Sequence, residues 1–235
     1  MQPIAGPLQP AVWLSCLSRF ILPRSKHTGE LKMTNKRTIF LLAAIVVLSS
    51  AALLQSAPAP RGSAPEYTSD GQLKLPEDYR DWVYLTTGFD MSYNPALMNM
   101  DHHMFDNVFV NPEAYKAFVE TGTWPDKTML VLEARKAEAK GSINQKGNYQ
   151  GAEIMGLEVH IKDESRFPGK WAFFPFDDSK TAKMIPTNME CYSCHAQHAA
   201  VDTTFVQFYP TLLPIAKAKG TLSLSYQKET AATQK

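Results

Sequence analysis

Two cysteines and a histidine stand within five residues of one another at Cys191, Cys194 and His195, in the run Cys-Tyr-Ser-Cys-His. Within one helical turn this spacing offers two thiols and an imidazole to a single bound group. Two residues between the cysteines span the edge of a haem, so that both sulfurs add across its vinyl groups. The next residue swings beneath the macrocycle and becomes an axial ligand of the iron. The expected cofactor is therefore one covalent haem c, attached through Cys191 and Cys194 and held by His195.

Other uses of this stretch predict different surroundings. A thioredoxin-like dithiol expects alternating strands and helices of a parallel fold, which the chain lacks. A structural zinc ion would have to take Cys191, Cys194, His195 and His198 from one short segment, whereas such sites usually draw on two separated knuckles. A Cys191–Cys194 disulfide would close a loop too short to restrict the unfolded chain much.

At 235 residues and 44% hydrophobic, the chain can bury one good core, and a formal net charge of +1 gives no electrostatic footprint for a nucleic-acid partner. Lys36 and Arg37 precede the apolar run Ile39 to Leu48 and the small residues Ser49 to Ala52. This is the pattern of a secretory signal over residues 33–57, with 1–32 as an overlong extension ahead of a start at Met33. The alternative is an uncleaved anchor, for which the apolar run is short. Export to the periplasm agrees with the haem reading, because covalent attachment of this kind is completed outside the cytoplasm. Removing the leader leaves only Cys191 and Cys194, and so no disulfide framework.

The elements that must position the motif follow in order. Residues 58–74 read as a flexible leader rich in Pro, Ala and Ser. The domain proper is expected over 75–220, opening with a short amphipathic helix after Pro76 that carries Tyr79, Trp82 and Val83. Residues 91–104 read as a loop. A strand follows at Phe105 to Val110, then a helix from Asn111-Pro112-Glu113 to Gly122. Thr128 to Ala134 is β-like, and 135–150 reads as a long hairpin loop. Leu157, Val159 and Ile161 alternate with Glu158, His160 and Lys162. Trp171 to Phe176 has bulky residues on both faces, and Pro175 confines it to an edge or a bulge. Phe205 to Leu213 recur at helical spacing, and Gly220 closes that segment. The tail 221–235 reads as disordered. Together these give an α+β fold, β-rich and antiparallel, with helices at both ends of the domain.

With these segments in place the chain resembles the cytochrome P-460 family, which includes cytochrome c′-beta. The resemblance is carried from Leu75 to Lys219 by Leu75 to Trp82, Val108 to Tyr115, Gly156-Leu-Glu158, Trp171 to Phe174, the haem motif and Phe208-Tyr-Pro210. It implies a periplasmic homodimer with one c-type haem, His195 on the proximal side and an open distal face. Members either oxidise hydroxylamine or bind small gases such as nitric oxide and carbon monoxide, exchanging electrons with a partner cytochrome. The oxidising members carry a lysine bonded to the haem ring, and its position falls here on Leu132, which cannot form that bond. Glu158 matches their distal proton acceptor, which is general-base work. Phe105 and Leu132 are expected as apolar distal residues. His102, His103 or a neighbouring methionine would instead close the sixth position and leave a simple electron carrier.

Overall fold

A computed structural model describes residues 64–92, 103–177 and 179–233. The expected signal and extension, the first part of the leader and His102 lie outside these residues. The centre is a five-stranded antiparallel sheet in the order β2-β3-β4-β5-β6. Its strands are β2 (Val83–Phe89), β3 (Met104–Val110), β4 (Met129–Glu138), β5 (Tyr149–Lys162) and β6 (Trp171–Phe176). A small second sheet pairs β1 (Leu73–Lys74) with β7 (Thr181–Ala182). The helices are α1 (Pro112–Thr121), α2 (Glu190–His198), α3 (Leu213–Lys219) and α4 (Leu224–Thr233). The α+β expectation holds, with one helix, α1, set between β3 and β4.

Each face of the sheet builds its own core. On one face Leu85, Val110, Leu130 and Trp171 pack against Phe118 of α1 and against Val201 and Leu212 of the C-terminal segment. On the other, Val131, Val159, Ile161 and Phe174 meet Leu73, Tyr79 and Trp82. Burying both faces explains why β6 carries bulk on both sides. It lies at the sheet edge, where Pro175, opposite Glu158, costs no ladder bond.

Several sequence expectations are corrected. The helix after Pro76 is only a 3-10 turn over Tyr79–Asp81, because Val83 to Phe89, rich in β-branched and aromatic residues, begins a strand at once. The leader is ordered from residue 64: Leu73 is fully buried and pairs with Ala182, and the Arg166 guanidinium lies 3.7 Å from the centre of the Tyr67 ring. The hairpin loop shrinks to 139–148 as β4 and β5 extend toward each other, accommodated by register shifts near Ala134 to Ala137. The expected helix at 205–213 is split into a 3-10 turn at Val206–Phe208 and α3, with Pro210 between them and Pro214 in the first turn of α3.

The tail is not disordered over its described part. It forms α4, held because the Ser223 hydroxyl donates to Ala199 O at 2.6 Å and Leu222 and Tyr226 pack on the core. Polar composition hid two apolar anchors.

Candidate functional site

The inward face of β2 to β5 forms the floor of a cleft of about 250 Å³. Register decides which side chains reach it. Val108, Leu132 and Glu158 lie directly opposite one another across β3, β4 and β5, and all three line the cleft. His160 stands two residues further along β5, and Asp106 two residues before Val108 on β3. The opposite wall comes from the far end of the chain, with His195 of α2 followed by Phe205, Phe208 and Tyr209.

His195 is oriented by a backbone partner. Its Nδ1 lies 2.7 Å from the carbonyl oxygen of Thr203, and since a carbonyl only accepts, Nδ1 must carry the proton. The lone pair then belongs to Nε2, the arrangement that metal-binding histidines use. Burial pushes its pKa down against the opposing effect of the Thr203 bond, which favours a neutral imidazole. The ring is walled by Phe205 at 4.2 Å, Phe173 at 4.6 Å and His160 at 5.2 Å between centres. His160 stacks flat on Phe173 at 3.9 Å. Its own pKa is driven well down, first by burial and then by His195.

Cys191 is exposed and Cys194 half-buried on the same helix, both as free thiols. Burial, followed by Glu190, Cys191 and Glu229, raises the Cys194 pKa. Cys194 borders a groove that shares Phe205 and Phe208 with the cleft, so one wall connects the thiol to the imidazole pocket. His198 does not join them: its Nδ1 lies 3.0 Å from Glu229 of α4. No three of the described His, Cys, Asp and Glu residues converge as a metal site, which removes support for the zinc arrangement. A planar, largely apolar ligand anchored by Cys191 and Cys194 and ligated by His195 Nε2 fits this donor set and its aromatic walls.

The sequence model of the cytochrome P460 family matches residues 76–206. The chain belongs to the cytochrome P460 family. That span takes in the sheet, α1 and the Cys-x-x-Cys-His run, and the family implies a haem cofactor. No curated protein matches the sequence.

Among the other expected site residues of this cytochrome P460 chain, Leu132 and Glu158 face the cleft. Glu158 is open to the concave space yet surrounded by protein mass, so burial raises its pKa. Phe105 requires correction. Strand alternation turns it to the opposite face, where it packs on Phe89 at 4.8 Å between ring centres, and its neighbour Asp106 takes the inward position. His103 is exposed and does not line the cleft; its Nδ1 lies 2.6 Å from Asp90 Oδ2. Met91, in the segment read as loop, does line it. The sequence reading passed over Asp106, His160 and Thr203. For Asp106 a signal existed: it alternates with Val108 and Val110 and so shares their inward face.

Proposed function

We propose that this chain is a periplasmic mono-haem c-type cytochrome that binds a small nitrogen-oxide or gas ligand on an open distal face and exchanges electrons with a partner cytochrome. In this reading Cys191 and Cys194 carry the haem, His195 ligates its iron, and the mature protein is a homodimer exported by the signal beginning near Met33. The haem, when bound, supplies the ligand-binding iron and the redox couple. The observation that carries the reading is the joint lining of one cleft by His195, on the C-terminal wall, and by Leu132 and Glu158, on the sheet.

The protein's own groups divide the work. Thr203 O fixes the His195 tautomer. Leu132, Val108 and Phe205 supply apolar walls that favour a neutral diatomic ligand over a charged one. Leu132 provides no amine for a bond to the haem ring, so the cofactor is an ordinary haem c.

The raised pKa of Glu158 favours a second reading, oxidation of hydroxylamine with Glu158 accepting protons. A base is most effective when its pKa approaches the working pH.

The test is the absorption spectrum of the reduced, purified protein before and after carbon monoxide, with a pyridine haemochrome for comparison. An ordinary c-type Soret band that shifts with the gas is expected. A strongly red-shifted band would refute the assignment of Leu132. Failure to bind either carbon monoxide or nitric oxide would leave a closed electron carrier, with Met91 the first candidate to close it. Turnover of hydroxylamine with an artificial acceptor that is abolished by Glu158→Ala would select the second reading.

A further inference from the structure

Among the described residues two carboxylates line the cleft, although the sequence reading identified only one. Asp106 and Glu158 stand on the same face of the sheet, two strands apart and offset by two residues along them. Their Cα atoms are therefore about 12 Å apart from strand spacing and rise, and both side chains project into the space between. The sheet beneath that space is shallow. Ala134 pairs with Asp106 on one side and with Gly156 on the other, and a Cβ added to Gly156 would meet nothing nearer than the Ala134 methyl, at 3.9 Å. Both acids border the same cleft, with Leu132 on the strand between them.

Among the described residues no lysine or arginine lines this cleft. The nearby cations have other partners: Lys136 Nζ lies 3.1 Å from Glu153, and His103 is engaged by Asp90. Asp90 itself adds to the negative field. Burial raises the Asp106 pKa, and the charges of Glu158 and then Asp90 raise it further, as expected of a carboxylate facing other carboxylates in a partly dry space.

We propose that Asp106 is a specificity-determining residue: with Glu158 it makes the distal pocket select small ligands bearing N–H or O–H hydrogens, such as hydroxylamine, over anions of similar size, such as nitrite. An ionised carboxylate only accepts hydrogen bonds, so the pair pulls donor ligands inward and repels anions. A neutral diatomic gas feels little of either effect. The inference rests on the open-face reading above and deepens it by naming what the face prefers.

The experiment titrates the haem-loaded, oxidised full-length protein anaerobically with hydroxylamine and with nitrite, following the Soret band without an electron acceptor. Carbon monoxide binding to the reduced protein serves as control. Asp106→Asn is expected to lower the ratio of nitrite to hydroxylamine dissociation constants about tenfold, the size expected of a unit charge acting at several ångströms near a protein surface. Asp106→Glu is expected to keep the ratio within about twofold of the wild type, as charge rather than shape is at issue. Asp106→Ser serves the same purpose should the amide variant not load haem. An unchanged ratio in the neutral variant, with carbon monoxide still binding, overturns this inference alone. A wild-type protein that binds none of the three ligands overturns the open-face reading and this inference with it.

Discussion

Trp124 places its indole N–H in the core beneath the cleft wall, where Thr204 Oγ1 accepts it at 2.7 Å while the same hydroxyl donates to Val201 O at 2.8 Å. Both side chains are almost wholly buried. Thr204→Val keeps the shape but leaves the indole N–H without its acceptor, which costs about 1–3 kcal/mol; urea unfolding monitored by tryptophan fluorescence should show a loss of this size. The residue scale is also where legibility in the sequence varied most. Cys191, Cys194 and His195 were legible because their spacing is fixed by one helical turn, independent of anything distant. Glu158 and Leu132 were legible through the family resemblance, and their cross-strand pairing brings them to one cleft. Phe105 was misplaced because side chains alternate with a period of two, so an error of one residue sends a candidate to the wrong face. The Thr203 carbonyl had no side-chain signature to read.

At the scale of elements, local signals worked where chain chemistry dominates. Asn111-Pro112-Glu113 and Gly122 bracket α1 as expected, with Gly122 left-handed at φ 77°. Yet Asn111 does not cap the helix with its side chain; its Oδ1 accepts the Met129 N–H at 2.8 Å and ties α1 to β4. β2 and α4 were missed because their stability comes from partners remote in sequence: β3 for the strand, and Ala199, Ala200 and the core for the helix. Gly122 joins these ends, since the Thr221 hydroxyl donates to its carbonyl at 2.6 Å. A Cβ there would lie 2.7 Å from Lys219 Cβ and 2.9 Å from Thr221 Oγ1. Gly122→Ala therefore combines backbone strain with a clash and should lower stability by at least about 1 kcal/mol. Amide exchange should report the loss first in α4 and the end of α1.

Across the whole molecule, acid stability follows from two buried carboxylates that are charged in the fold. Burial pushes Glu133 up, but hydrogen bonds from Arg135, Tyr79 and Arg80 outweigh it and hold its pKa below the ordinary 4.5. Asp163 is held below 3.8 in the same way, burial being outweighed by Lys127 and Ser165. Lowered native values mean stability that is present above the unfolded pKa and lost as pH falls through the native one. Melting temperature should therefore fall steeply below about pH 4, and Glu133→Gln should flatten the fall while lowering the starting point. Asp106 and Glu158, with raised values, act in the opposite sense and delay the onset. The order of the large sheet has a consequence for manufacture. Because β2 to β6 lie side by side in the order in which they occur along the chain, each strand leaving the ribosome or translocon finds its neighbour already made, and the sheet grows by short-range pairings that close quickly. The segment bearing Cys191, Cys194 and His195 emerges after all five strands, so α2 reaches a floor already laid.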